Sequence, residues 1–144
     1  MSTAFPLAGL LRYRRLREEQ AAGSLAGARQ RVQDVQDRQT DERQRLQGSP
    51  VTIDSPASMQ AVAAARAASR ALLTELEAAD ARSREDAQQA QLDYNSARAQ
   101  TLGLEKLADR HADSATAEEL RGEQLILDEL TSSSWKDRNG GARP

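Results

Sequence analysis

His111 is the only histidine of this chain, and cysteine is absent. No second histidine exists to build a metal site with it, and without cysteine no thiolate site can be assembled. The serines are scattered, and no nucleophile has a recognisable base beside it. No phosphate-cradling glycine loop, dinucleotide fingerprint or paired-cysteine motif occurs. The carboxylates sit among arginines at helical spacing, which is the pattern of a solvated ion-pair face and not of paired acid–base groups. The run Arg12, Arg14, Arg15, Arg17 precedes heptads as a DNA-binding basic region does. It is short, however, and Glu18 and Glu19 cancel it at once, so nucleic acid is not an expected partner. The residues therefore predict no catalysis, no cofactor and no metal. What remains is the chemistry of association: leucines and charges presented on helices.

The elements that carry them follow from spacing. Leu73, Leu76, Asp80, Ser83, Ala87, Ala90, Tyr94, Ala97, Thr101, Leu104, Ala108 and His111 alternate steps of three and four, the seam of a coiled coil. Leu25, Ala28, Val32, Val35, Gln39, Glu42 and Leu46 do the same earlier in the chain. Gly48-Ser49-Pro50 and Ser55-Pro56 separate the two runs. The expectation is an all-α fold, a long antiparallel two-helix coiled-coil hairpin with unequal arms, forming a single domain over 1–144. Helix 1 is expected at about 6–47, a turn at 48–55, helix 2 at about 56–131, and a flexible tail at 132–144. Either Asp54 or Ser55 suits the cap of the second helix.

Composition agrees. Aromatic residues make up 3% of the chain and charged residues 29%, too little bulk for a thick core but ample for extended helix. Ala, Ser, Thr and Asp at seam positions bury little area, and each missing methylene forfeits about 0.8 kcal/mol. The net charge of -2 implies no bulk attraction to nucleic acid or anionic lipid. No apolar run approaches the length of a membrane span, and the arginines follow the N-terminal leucines where a signal peptide would have them precede. A soluble, cytoplasmic protein is expected.

Unequal arms leave an overhang. Folding the chain symmetrically about residue 52 sets Leu46 opposite Ala57 or Ala61 and Leu7 near Ala97. Everything after about Ala99 then projects beyond helix 1. That segment carries Leu102, Leu104, Leu107, Leu120, Leu125, Ile126, Leu127 and Leu130, the richest aliphatic stretch of the chain. Exposed apolar stripes of this kind mark interaction surfaces. The alternative is a bend at Gly103 or Gly122 that folds the end back on itself.

Two stretches resemble the FliJ family of the flagellar type III export apparatus. One is Phe5-Pro6-Leu7-Ala8-Gly9-Leu10-Leu11-Arg12-Tyr13-Arg14-Arg15-Leu16-Arg17-Glu18-Glu19, an aromatic, leucines, a basic patch and then acidic helix. The other comprises Leu104-Glu105-Lys106-Leu107 and Glu123-Gln124-Leu125-Ile126-Leu127-Asp128-Glu129-Leu130. The segment from 105 to 130 is more acidic than is usual in the family.

The resemblance implies a non-enzymatic two-helix stalk, peripherally associated through its partners with the inner membrane at the flagellar base. The implied partners are the export ATPase ring, the cytoplasmic domain of the export gate and export chaperones. By the same resemblance the partner-binding residues are Phe5, Leu7, Leu10, Leu11, Arg14, Arg15 and Glu18, joined by Leu104, Leu107, Leu120, Gln124 and Leu127 from the overhang. Two other functions fit the same helices: an escort for export substrates or chaperones, and a homo-oligomeric scaffold with no role in export.

Overall fold

The computed structural model describes residues 3–49 and 52–140. Two helices account for them, α1 (Ala8–Gly48) and α2 (Pro56–Asn139), with no strand among the described residues. The fold is the expected all-α antiparallel hairpin with unequal arms, 41 residues in α1 against 84 in α2.

The helix ends follow local chemistry. Ser55 caps α2: its Oγ accepts from the Ser58 amide at 3.1 Å, and the Ser58 Oγ accepts from the Ser55 amide at 3.0 Å. Each hydroxyl thus satisfies an amide that a helix start would otherwise leave bare. At the other end α2 continues to Asn139, eight residues beyond its expected end at 131. Thr131, Ser132, Ser133 and Ser134 are indifferent helix formers, but each hydroxyl donates to the carbonyl three residues back, from Asp128 to Thr131. Gly103 and Gly122 lie inside this uninterrupted helix, so the folded-back end does not form.

The chain divides into two compact units. One is Leu16–Ala99, the greater part of α1 against the first half of α2. Its seam is the one the sequence predicts. Leu25, Ala28 and Leu76 are buried, with Val32, Val35, Leu73 and Ala90 half-buried on the same stripes. Polar residues share that seam: Gln39, Glu42 and Ser83 are also buried. The Ser69 hydroxyl donates to Glu42 Oε1 at 2.6 Å, which satisfies an acceptor that burial would otherwise strand. Arg29 donates to Gln91 at 2.7 Å, and Arg98 pairs with Glu18 at 3.0 Å.

The other unit joins the N-terminal residues through Arg15 to the segment from Gln100 onward. Leu11 and Thr101 are buried among its described residues, and Thr101, at 0% exposure, donates to the Arg14 carbonyl at 3.3 Å. Arg14 donates to Gln100 at 2.6 Å, Arg15 pairs with Glu105 at 3.5 Å, and the Phe5 ring lies 5.6 Å from that of His111.

These pairs correct the expected register. Leu7 does not sit near Ala97: Arg14 already faces Gln100 and Thr101, and Phe5 reaches His111. The displacement is roughly two to three helical turns. At the hairpin end Leu46 shares a groove with Ala61, the second of its two expected mates, and with Val62, Ala65 and Ser69 further along α2. Symmetric counting assumes one rise per residue throughout the chain. A helical residue advances about 1.5 Å, whereas an extended one advances up to about 3.6 Å. Equal residue counts on either side of a connection are therefore not equal lengths. The overhang accordingly begins after Ala115, beyond which Gly122 alone is half-buried among the described residues, and not after Ala99.

One seam residue opposes the fold. Asp80 is half-buried; its Oδ2 accepts from Arg84 Nε at 2.8 Å, while Oδ1 is buried without a hydrogen-bond partner. A buried acceptor left bare costs about 1–3 kcal/mol, and the partly exposed pair with Arg84 returns less than about 1 kcal/mol. Asp80→Leu is expected to raise the thermal midpoint of helix unfolding by several degrees. A midpoint that stays put or drops in far-UV circular dichroism would show that the carboxylate is adequately solvated.

Candidate partner-binding surface

The residues expected to bind partners divide into those the hairpin uses internally and those it leaves outward. Leu11 belongs to the core, at 8% exposure. Phe5 and Leu104 are half-buried, Phe5 against His111. Arg14 is held by Gln100, Arg15 by Glu105, and Glu18 by Arg98. Surface contacts of this kind, two of them ion pairs, contribute about 1 kcal/mol each at most, yet they fix the direction of each side chain. These residues align the helices.

Outward leucines form a second set. Leu7, just before α1, and Leu10, in its first turn, are each 40% exposed, and Tyr13 follows Leu10 at helical spacing. The Arg14 guanidinium lies 5.8 Å from the Tyr13 ring centre, a cation–π distance. Sequence reasoning passed over Tyr13. The signal was present: Leu10 and Tyr13, three apart, lie off the seam stripe that holds Leu11 and Arg14, so this helix has two apolar faces and only one can be buried.

On α2, Leu107 is exposed beside the paired region, and Leu120, Gln124 and Leu127 lie beyond it at i, i+4, i+7 spacing on one helical face. Leu120, at 60%, and Leu127, at 61%, have no mate among the described residues. Ile126 and Leu130, three residues on from Glu123 and Leu127, widen the stripe and are equally exposed. Leu120 is roughly 24 Å along the helix from Leu104. The structure thus places Arg14, Arg15 and the 101–105 segment side by side, and leaves Leu120, Gln124 and Leu127 as a separate surface.

No group of residues able to hold a metal ion occurs among the described residues. None of the described helices is long and apolar enough to cross a membrane.

A protein-family model described as Flagellar FliJ protein matches residues 3–140. The chain belongs to the FliJ family. The match spans the middle of the chain as well as the two ends on which the motif resemblance rests. No curated protein and no solved structure matches it. Membership makes this FliJ-family chain a coiled-coil protein of flagellar protein export.

Proposed function

We propose that the chain is a non-enzymatic coiled-coil stalk of the flagellar type III export apparatus, located at the flagellar base through its partners. Its N-terminal turns and the C-terminal half of α2 dock on the export ATPase ring and promote ATP turnover. The hairpin end, near Leu46 and Ala65, faces the cytoplasmic domain of the export gate. Chaperone escort is a secondary role of the same surface. The observation that carries this reading is the concentration of unmated leucines in the unit that contains the N-terminus and the segment after Gln100. A helix exposes such a stripe to water at a cost of about 25 cal/mol per Å², which a partner recovers by covering it.

The test uses residues that the hairpin does not need. Leu7→Asp together with Leu10→Asp leaves Leu11 and the seam intact. Binding to the cognate export ATPase is expected to weaken by about a hundredfold, since each buried leucine is worth roughly 1.5 kcal/mol or more. Stimulation of turnover is lost with it, while helix content is unchanged. Full stimulation by the doubly substituted protein would remove the N-terminal contact. Stoichiometric cargo binding with no effect on turnover would move the assignment to the escort function.

A further inference from the structure

Where α1 lies beside α2, carboxylates of one helix meet arginines of the other: Glu105 has Arg15, and Glu18 has Arg98. Past Ala115 this arrangement stops. Glu118, Glu119, Glu123, Asp128 and Glu129 are answered by Arg121 alone, and none of the five carboxylates forms an ion pair or hydrogen bond among the described residues. Glu119 and Glu123 lie on the same side of α2 as Leu120, Ile126, Leu127 and Leu130, separated by three or four residues at each step. Those four side chains are 60–61% exposed.

We propose that this face of α2, from Glu118 to Leu130, is a docking site for a basic amphipathic helix of a partner protein. The occupant must present an apolar stripe, to cover the leucines, flanked by lysines or arginines, to meet the carboxylates. Coiled-coil pairs select partners in this way, with apolar contact supplying affinity and flanking charge supplying choice. The acidic face repels nucleic acid and anionic lipid. A second copy laid face to face sets like charges opposite one another and is disfavoured for the same reason. This deepens the docking role proposed above for the C-terminal segment and does not depend on which export component carries the helix.

Trp135, the single tryptophan, lies five residues beyond Leu130 and is exposed, so its emission reports on this face in the intact chain. The probe is a synthetic amphipathic helix of leucine and lysine; its control replaces every lysine by glutamate. The expected result is saturable, salt-sensitive binding of the lysine peptide and none of the glutamate peptide. Glu119→Lys with Glu123→Lys is expected to weaken the lysine peptide about thirtyfold, because two attractions of roughly 0.5 kcal/mol become two repulsions of the same size, and to admit the glutamate peptide. The two positions are exposed, and unchanged circular dichroism verifies the fold. Equal binding of both peptides, or an affinity indifferent to the charge reversal, overturns the proposal. So does a doubling of mass with concentration in light scattering that Leu127→Asp abolishes, since the occupant is then a second copy. ATPase stimulation by the intact protein with no peptide binding leaves the export function standing and removes this inference.

Discussion

Leu76→Asp is expected to unfold the Leu16–Ala99 unit, at a cost of about 3–5 kcal/mol. Among the described residues of that unit, Leu76 is one of three buried hydrophobic residues, with Leu25 and Ala28. The substitution removes its contacts and also sets a charge in a seam that already holds Glu42 and Asp80. A thicker core could share such a loss, but a two-helix seam has one layer of contacts at each level. The expected cost is comparable to the whole stability of many small domains. Circular dichroism should show most of the helix signal gone, or melting at much lower temperature. Leu72→Asp supplies the comparison. Leu72 is four residues earlier on the same helix but outward, and its replacement should cost no more than about 0.5 kcal/mol. If the two substitutions had equal effects, the seam would not be the source of stability.

The same two leucines show what the sequence could convey. Leu72 and Leu76 are the same residue type one turn apart, and composition cannot separate them. The alternation of three- and four-residue steps does, because only positions on that spacing keep facing a second helix. It placed polar residues correctly too: Ser83 and Thr101 are buried at seam positions despite their hydroxyls. Spacing is a property of one helix, however, and register is a property of two. Nothing in the pattern of α1 or α2 fixes which turn of one meets which turn of the other. The pairs that do so, Arg14 with Gln100 and Arg29 with Gln91, are polar contacts 86 and 62 residues apart in the chain. Hence the expectation of Leu7 near Ala97 failed while every seam residue held its place.

The binding surface was legible to the same degree. Leucines could be named, but Leu11 could not be distinguished from Leu7 and Leu10 until Phe5 was found against His111 and Arg14 against Thr101. Those contacts turn Leu11 inward and its neighbours out. The remaining signals were chemical. Ser55-Pro56-Ala57-Ser58 is a capping sequence by residue type alone. The hydroxyl bonds that carry α2 to Asn139 depend on the helix already being there, and so leave no trace in propensity.

Register also decides what a shortened chain would do. Ending the chain at Ala115 removes the unmated part of α2 and leaves the paired part intact, including Thr101, Glu105 and His111. Its thermal midpoint should lie within a few degrees of the full protein, because exposed turns contribute little to packing. Stimulation of the export ATPase should nevertheless be lost almost completely, since Leu120 and Leu127 go with the deleted segment. Ending at Thr101 is a different experiment. It deletes the residues that hold Phe5 and Arg15, so the first turns of α1 lose their mates and fray. Loss of stimulation there would report a damaged fold as readily as a missing contact. A chain that stops at Ala115, melts like the full protein and still stimulates turnover would confine the docking surface to Leu7, Leu10 and Tyr13. A chain that stops at Ala115 and melts far below the full protein would mean that the overhang packs against something after all, and the distinction between aligning and docking residues would have to be redrawn.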